Sequence, residues 1–551
     1  MRAVKDPARS QAALLRRLLQ QNADTVFGRK HGFARISTMQ DYAAAVPITD
    51  YETFRPYVDQ IVQGGRAVLT REQPIMFTTT SGTTAEPKLL PITKRWKQDI
   101  ASIMRVWLYW ASRDHKGLFN GSSLSVVSPA VEGQTSGGQD IGAISGLAYQ
   151  RVPWAIRRNY ALPYAVMTIA DYEDRYFASI RLALARQVSI IVVPNPTTLV
   201  RLAQMAESRA QEIIRAIHDG RLGIMADHLV GEGSSAQRTL YSKIEQDIVP
   251  DPARAGELEK ALDQHGRLLP RYAWPNLKMI GCWLGGSCGV HAERLGELYG
   301  PNVPLRDLGL RASEATMTIP FDDGTAAGVL ALHSNFYEFI PEESIDEQAP
   351  LTLQAHELER DRNYYIILTT KAGLYRYDIN DIVRVVGTFQ QTPVLSFVRK
   401  GRDMASITGE KLHVMQITSA MAAAQRKLPL EITEFRMIPD LKASRYDLLL
   451  ELAGAGETKD LLNFVALFDS ELGRANIEYA QKRESGRLGE LHLHLMNQGW
   501  SEQQWRADIA KGKRDSQYKW PYIQLEWNEE SRRAVSRQFT AGEMRDEAEG
   551  S

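Results

Sequence analysis

The chain has 551 residues, of which 44% are hydrophobic, and its 66 basic residues are balanced by 66 acidic ones. This length suits one large enzyme domain with a smaller partner, and the even charge balance argues against nucleic acid as a partner. The two cysteines, Cys282 and Cys288, fit neither a disulfide framework nor a C-x-x-C metal site. The N-terminal residues lack the apolar core of a signal peptide and no apolar run could span a bilayer, so we expect a cytoplasmic protein with no membrane partner.

Hydrophobic periodicity predicts helices in the first sixty residues, at 11–22 and in short pieces over 42–57, and then a strand that leads into a loop at 77. A long helix is expected over 93–112. Strands then alternate with helices, with strands at 123–127, 189–193, 279–284, 329–332 and 364–368 and helices at 172–186 and 198–218. This alternation predicts an α/β domain with a parallel or mixed sheet and flanking helices.

A different pattern follows residue 411. Strands are predicted at 432–437, 446–452 and 491–495, and helices at 458–483 and 502–511. Their order is typical of a compact α+β unit. We therefore predict a large N-terminal domain over 1–411, a small α+β domain over 412–540 and a polar tail over 541–551.

A hydroxyl-rich loop after the strand at 77 carries the strongest local signal. Its candidate phosphate ligands are Thr80, Ser81, Gly82, Thr83, Thr84 and Lys88. Hydroxyl and backbone N–H donors, a glycine that permits close approach and a lysine together suit a triphosphate. The spacing is not that of a Walker A loop. Taken alone, the segment is better explained as an ordinary Thr/Ser-rich turn.

Three later residues give this loop a possible context. Glu314 ends a strand-to-turn segment and could hold Mg²⁺ beside a triphosphate, although Ala-Ser-Glu is also an ordinary helix cap. Asp381 precedes an apolar strand and could accept hydrogen bonds from ribose hydroxyls, with a structural Asn-Asp turn as the alternative. Lys519 lies near the C-terminus and matters only if the small domain closes over a nucleotide.

Taken in order, four motifs resemble the Gretchen Hagen family of auxin-responsive acyl acid amido synthetases. They are Thr-Ser-Gly-Thr-Thr at 80–84, Ala-Ser-Glu at 312–314, Gly-Leu-Tyr-Arg-Tyr at 373–377 with Asp381, and Gln-Tyr-Lys at 517–519. The family belongs to the adenylate-forming, firefly-luciferase-like enzymes, and the resemblance covers nearly the whole chain. It implies an acyl-adenylate formed from a carboxylic acid and ATP, followed by transfer of the acyl group to the amine of an amino acid.

The resemblance also implies roles for particular residues. Residues 81–84 would cradle the β- and γ-phosphates, Glu314 would bind Mg²⁺, Asp381 would hold the ribose, and Lys519 would act in catalysis from a mobile C-terminal domain. Ser313 is a further candidate contact for the nucleoside.

Three departures from the family pattern qualify these roles. Leu310 stands where a tyrosine is usual, so adenine stacking would move to another ring such as Tyr337. Ala85 and Asn380 stand where glycine is common, and asparagine tolerates a left-handed backbone well.

The acid site has weaker candidates. Trp107 and Trp110 on the helix after the phosphate loop could wall an acid pocket, with core packing as the alternative. Ser136, in a glycine-rich stretch, could lie in a loop over that pocket. Candidate partners for a substrate carboxylate are Arg157, Arg158 and Arg311.

Two further patterns allow a functional and a structural interpretation. The glycines of 281–289 could bring backbone close to an acyl-adenylate or could serve tight packing. His492 and His494 share one face of a predicted strand, but without a third ligand nearby we favour a solvated strand face over a metal site.

Three functions remain open at this point. An amide-forming, ATP-dependent ligase acting on a small carboxylic acid and an amino acid is the leading hypothesis. An acyl-coenzyme A ligase shares the first half-reaction and cannot be separated from it by the phosphate loop. A catalytically inactive nucleotide-binding regulator is the third, indicated by Leu310 and Ala85 alone.

Overall fold

The computed structural model describes residues 3–80, 88–224, 234–285, 287–345, 347, 350–401, 404–454, 456–510 and 520–539. These residues form two compact units. The first contains residues up to Thr80 together with Leu89–Arg399. The second contains the described residues from Lys400 onward, and it also includes Lys88. Across the described residues, the helices include none with the length and apolar character needed to cross a bilayer.

The helices of the first unit are numbered in chain order. They are α1 (Pro7–Gln21), α2 (Val26–Lys30), α3 (Met39–Ala45), α4 (Tyr51–Val62), α5 (Lys94–Asp114), α6 (Ile144–Gln150), α7 (Trp154–Arg157), α8 (Tyr172–Leu184), α9 (Pro196–Ser208), α10 (Ala210–Asp219), α11 (Ser234–Glu245), α12 (Pro252–His265), α13 (Pro270–Ala273), α14 (Ser287–Ala292) and α15 (Leu295–Tyr299). The long helix α5 begins after Thr93, whose side chain accepts a 3.2 Å hydrogen bond from the Trp96 backbone N–H. The single helix predicted over 198–218 is two helices, which meet at Arg209.

The strands of the first unit form three sheets. They are β1 (Met76–Thr80), β2 (Lys88–Ile92), β3 (Ser122–Leu124), β4 (Gly133–Gln134), β5 (Asp140–Ile141), β6 (Val188–Val192), β7 (Met279–Gly281), β8 (Leu305–Arg306), β9 (Thr318–Ile319), β10 (Gly328–Leu330), β11 (Phe336–Pro341), β12 (Asn363–Thr369), β13 (Tyr377–Phe389) and β14 (Thr392–Lys400). One sheet has the order β3-β6-β7-β8 and is parallel throughout. A second has the order β2-β1-β5-β4, and a third the order β11-β12-β13-β14-β10-β9.

The parallel sheet is covered by helices, as its apolar strands require. Ile191 lies opposite Ile280 in the register, and both side chains are completely buried. In the six-stranded sheet, β12 is antiparallel to its neighbours β11 and β13, and β10 is antiparallel to its neighbours β9 and β14. Its core includes an aromatic stack in which the Phe27 and Tyr375 ring centroids are 4.9 Å apart.

The second unit is an α+β structure. Its described elements are β15 (Met404–Ala405), β16 (Leu412–His413), α16 (Val414–Lys427), β17 (Ile432–Asp440), β18 (Arg445–Leu452), α17 (Thr458–Ala475), α18 (Ile477–Glu484), β19 (His492–Met496), α19 (Trp500–Ala510), α20 (Glu529–Arg533) and β20 (Val535–Phe539). The four-stranded sheet has the order β17-β18-β19-β20, with β18 and β19 parallel. The helix predicted over 458–483 is interrupted at Asn476, whose side chain accepts a hydrogen bond from the Tyr479 backbone N–H and so starts α18.

The two faces of this sheet have different surroundings. One face packs an aliphatic core that includes Leu448, Leu450 and Leu493. The other carries Leu449, Met496 and a group of tryptophans that includes Trp500 and Trp527. His492 and His494 are 7% and 6% exposed, so the expectation of a solvated strand face is wrong. Residues 520–528 bring Trp520 and Trp527 to that face, and β19 therefore has no water-facing side at these positions.

Candidate active site

Glu314 lies at the tip of a tight turn in the first unit. The Leu310 backbone carbonyl accepts a hydrogen bond from Met317 at 2.8 Å, and the Ala315 carbonyl accepts one from Ala312 at 2.9 Å. The Leu310 N–H donates to Thr318 Oγ1 at 2.8 Å. These bonds fix a short antiparallel loop over residues 310–318.

The base of this turn is held by Asp307. Its carboxylate accepts hydrogen bonds from the backbone N–H groups of Leu284 and Gly309, each at 2.6 Å. Burial raises the pKa of Asp307 to about 6, although these N–H donors oppose the rise. The Asp307 carbonyl accepts a 2.7 Å hydrogen bond from the indole N–H of Trp107. The turn is therefore anchored both to the segment that follows β7 and to α5.

Two aromatic residues position Glu314 itself, whose side chain is 6% exposed. The Trp96 indole N–H donates to the Glu314 carbonyl at 2.9 Å, and the Tyr377 hydroxyl donates to Glu314 Oε1 at 3.3 Å. Burial and the Glu314 charge raise the pKa of Tyr377 well above its ordinary value, so the hydroxyl keeps its proton and remains a donor. Sequence reasoning missed both contacts, although Tyr377 lies in the Gly-Leu-Tyr-Arg-Tyr motif.

Asp381 lies in β13, four residues after Tyr377, and is 2% exposed. The pairing of β12 with β13 is irregular here, because Tyr365 lies opposite Ile382 while Ile367 lies opposite Asp378. Asn380 has a φ of +60°, in the left-handed region that asparagine tolerates. A bulge of this kind redirects side chains, and here it sets the direction of Asp381.

The start of β13 is fixed by Arg376, which is buried. Its guanidinium forms an ion pair with Glu338 at 2.9 Å and donates to the carbonyls of Ala43 and Val46 at 3.0 and 2.8 Å. A buried arginine with this many partners is a structural residue. It holds Tyr377, and through it Glu314, in place.

The phosphate loop is described only at its two ends. The backbone of Thr80 ends β1, and Lys88 begins β2, the neighbouring strand of the same sheet. Ser81, Gly82, Thr83 and Thr84 lie outside the described residues, and so does Lys519. Their roles stay predictions.

Other candidate residues have well-defined surroundings. Ser313 is half-buried at the tip of the Glu314 turn. Tyr337 is fully buried in the core of the six-stranded sheet, where its hydroxyl receives a 3.2 Å hydrogen bond from Asn335. Its ring packs in this core, and its contact with adenine stays a prediction.

The three candidates for the acid pocket are placed differently from one another. Trp107 is completely buried, and a Cβ added at Gly281 would lie 2.7 Å from its ring, so this glycine serves tight packing. Trp110 is half-buried, with the Phe321 ring centroid at 4.7 Å and the Arg113 guanidinium 3.9 Å from its own ring. Ser136 is exposed in the loop between β4 and β5.

Arg311 is the unusual cation of this turn. Its Nη2 lies 2.6 Å from the sulfur of Met104 on α5, and its buried Nε has no hydrogen-bond partner within the described residues. Burial lowers the pKa of Arg311 to about 10, and Asp307 acts in the opposite direction, so the guanidinium stays charged at neutral pH. A half-buried guanidinium that donates to a thioether and keeps a buried N–H without a partner among the described residues is suited to receive an anion.

Comparison with solved structures defines the class of this fold. The GH3.15 acyl acid amido synthetase superposes with a TM-score of 0.63 at 20% sequence identity, covering 98% of this chain and 95% of that one. The two proteins share a fold that combines a large α/β unit with a smaller α+β unit.

Family models identify the chain more closely. The N-terminal, central and C-terminal domain models of the GH3 family match residues 1–305, 328–400 and 415–527, so the chain belongs to the GH3 family. The jasmonoyl–L-amino acid synthetase GH3.5 of Oryza sativa subsp. japonica is 24% identical over 97% of this chain and 95% of its own length. The indole-3-acetic acid-amido synthetase GH3.8 of Oryza sativa subsp. indica is also 24% identical, over 93% of this chain and 87% of its own length.

Proposed function

We propose that this protein is an ATP-dependent acyl acid amido synthetase. It adenylates a small carboxylic acid with release of pyrophosphate, and then joins the acyl group to the amine of an amino acid with release of AMP. The observation that carries the proposal is the buried Glu314 turn, held by Tyr377 beside the bulge of Asp381, in a chain that matches all three GH3 domain models.

The two buried carboxylates, Asp381 and Glu314, have different roles in nucleotide binding. Asp381 accepts hydrogen bonds from the ribose hydroxyls, which suits a carboxylate on a rigid strand. Glu314 fits a Mg²⁺ ion, because magnesium binds proteins through one or two carboxylates together with substrate phosphates. When bound, the ion neutralises charge that develops on the phosphates. Tyr377 keeps the Glu314 carboxylate in one orientation for this task.

The loop from Thr80 to Lys88 contacts the β- and γ-phosphates, and Lys519 supplies a further cation for the first step. These roles rest on the family motifs. An ammonium on a flexible stem is suited to negative charge that appears only transiently.

Arg311 binds the carboxylate of the acid substrate. One residue separates Arg311 from Ser313, and its guanidinium contacts Met104 on α5, the helix that carries Trp107 and Trp110. This places a cation between the proposed nucleotide contacts and that helix. The substrate carboxylate would complete the hydrogen bonding of Nε. Holding that carboxylate in line with the α-phosphorus lowers the entropic part of the barrier.

Neither half-reaction requires a nucleophile from the protein. A carboxylate oxygen attacks the α-phosphorus, the bond to the bridging oxygen breaks, and pyrophosphate leaves. The amine then attacks the acyl carbonyl, the bond to AMP breaks, and the amine loses a proton. The named relatives use different acids, jasmonate in one and indole-3-acetate in the other, so the family alone does not fix the acid.

Exchange of labelled pyrophosphate into ATP, measured across a panel of aryl and aliphatic acids, tests the first half-reaction. Mass spectrometry of products formed with amino acids, simple amines and coenzyme A then tests the second. We expect acid-dependent exchange and an N-acyl amino acid. A thioester of coenzyme A would establish the acyl-coenzyme A ligase instead, and no exchange with any acid would favour an inactive regulator.

A further inference from the structure

Three ligating side chains meet on one face of the sheet in the second unit. Asp447 on β18 lies directly opposite His492 on β19, and Leu449 lies opposite His494. Because side chains alternate along a strand, Asp447, His492 and His494 all point to the same face. Each is less than one-tenth exposed.

The polar atoms of this cluster face one another at distances too long for well-formed hydrogen bonds. Asp447 Oδ1 lies 3.7 Å from His492 Nδ1 and 3.4 Å from His494 Nε2, which is longer than an ordinary N–H···O bond. Five buried atoms have no hydrogen-bond partner within the described residues, namely Asp447 Oδ1 and all four imidazole nitrogens. Burying that many polar atoms without partners is unfavourable unless something else binds them.

We propose that Asp447, His492 and His494 bind one divalent transition-metal ion of the zinc class. Two imidazoles and a carboxylate are ligands that zinc prefers. Mg²⁺ and Ca²⁺ prefer oxygen ligands and bind imidazole poorly. The candidate ligand atoms all lie within 4.8 Å of one another. Ligands around a tetrahedral zinc are roughly 3.3 Å apart, so small side-chain rotations complete the site.

The surroundings of Asp447 support this assignment. The Trp527 indole N–H donates to Asp447 Oδ2 at 2.9 Å and leaves Oδ1 directed at the imidazoles. Outer contacts of this type orient ligands in metal sites. The ion would join β18 and β19 at the face covered by the segment that carries Trp527, and a coordination position would remain for water.

A competing occupant of the cluster is a proton. Arg445 Nε lies 3.6 Å from Asp447 Oδ1, and a protonated imidazole together with Arg445 could neutralise the carboxylate without a metal. The two alternatives differ in whether the full-length protein binds a metal ion at this cluster. The proposal does not depend on the ligase function, because its test measures metal binding and not turnover.

The experiment uses the full-length protein, freed of metal by a chelator and then titrated with Co²⁺, whose visible absorption reports its coordination. We expect one Co²⁺ per chain, displaced by Zn²⁺ and not by Mg²⁺. Asp447→Asn and His494→Gln should each weaken Co²⁺ binding by at least about tenfold. His356→Gln, at an exposed histidine of the first unit, serves as the matched control and should bind like wild type.

Circular dichroism of each variant establishes whether it is folded. If a variant fails to fold, X-ray absorption of the zinc-loaded wild-type protein decides the question. A shell of nitrogen and oxygen with two imidazoles supports the site, whereas a sulfur neighbour points to Cys282 or Cys288 and overturns it. Absence of Co²⁺ absorption, or equal absorption in wild type and Asp447→Asn, also overturns it and favours the protonated cluster.

Discussion

The two units of this protein bury their carboxylates in contrasting ways. In the first unit, both oxygens of Asp307 accept backbone hydrogen bonds of 2.6 Å, and Glu314 Oε1 accepts a side-chain hydrogen bond from the Tyr377 hydroxyl. In the second unit, Asp447 has one oxygen bonded to Trp527 and the other facing two imidazoles at 3.4 and 3.7 Å.

The difference separates supporting residues from candidate binding residues. A buried polar group is tolerated when it is paired, so a fully bonded carboxylate such as Asp307 is explained by the fold alone. A buried group whose atoms lack partners is a candidate for binding a further occupant. By this reasoning Arg311 resembles the cluster of the second unit more than its own neighbour Asp307, and we propose a substrate carboxylate and a metal ion as the respective occupants.

The largest expected effect is on the chemistry at Glu314. Glu314→Gln keeps an oxygen that accepts from Tyr377 but removes the charge that suits Mg²⁺. We expect acid-dependent pyrophosphate exchange to fall by about a hundredfold to a thousandfold. The midpoint of thermal unfolding should change little, because the side-chain volume and the hydrogen bond are retained.

Tyr377→Phe is the matched variant for this position. It removes the donor and leaves the carboxylate, so it should reduce exchange less than Glu314→Gln does. If Glu314→Gln exchanged pyrophosphate as fast as wild type, the assignment of Glu314 to the reacting site would be wrong.

A smaller effect is expected at Arg311, and it should be specific to the acid. Arg311→Met removes a charge-assisted hydrogen bond to the substrate carboxylate, so the KM for the acid should rise by about tenfold to a hundredfold. The KM for ATP should stay close to its wild-type value. Steady-state exchange kinetics with each substrate varied in turn provide both constants.

Arg105→Met is the control for this variant, since Arg105 is an exposed arginine on the same helix as Met104. It should leave both constants unchanged. Equal increases in the KM for acid and ATP in Arg311→Met would show that Arg311 supports the turn as a whole and does not bind the acid.

A further prediction concerns the hydrogen bond from Trp527 to Asp447 in the second unit. Trp527→Phe removes the N–H that donates to Asp447 Oδ2 while keeping an aromatic ring beside His494. We expect Co²⁺ affinity to fall by about tenfold with the stoichiometry unchanged. Titration followed by visible absorption measures both, and unaltered affinity would mean that Trp527 does not orient the carboxylate.

The sequence predicted the family and the fold, and the comparisons confirm both. Periodicity located most elements, but it could not separate α9 from α10 or α17 from α18. A break at Arg209 or Asn476 leaves the apolar spacing on each side intact. The break at Asn476 is visible only in the structure, where its side chain accepts a hydrogen bond from the Tyr479 backbone N–H.

The candidate sites show a similar limit. The alternation Leu-His-Leu-His-Leu correctly placed both histidines on one face, yet alternation does not tell whether that face meets water or a layer of tryptophans. Asp447 escaped notice because its pairing with His492 depends on a parallel contact between β18 and β19, which no local pattern encodes. Trp96 and Tyr377 were missed as partners of Glu314 for the same reason, since both contacts join residues far apart in the chain.

The smallest expected effect concerns packing behind the Glu314 turn. In Gly281→Ala, the new Cβ would lie 2.7 Å from Cη2 of Trp107 and 3.2 Å from Cδ2 of Leu308. Trp107 cannot move away without weakening its 2.7 Å bond to the Asp307 carbonyl. Overpacking of this kind should lower the free energy of unfolding by about 1–3 kcal/mol, which urea denaturation measures.

Gly387→Ala, on β13, provides the control, because a Cβ there would meet nothing within 4 Å. It should leave the free energy of unfolding nearly unchanged. Under conditions where Gly281→Ala is folded, its KM for acid should match that of wild type, in contrast to Arg311→Met. An acid-specific rise in KM for Gly281→Ala would instead place the backbone of β7 at the acid, and the distinction between supporting and binding residues in the first unit would have to be redrawn.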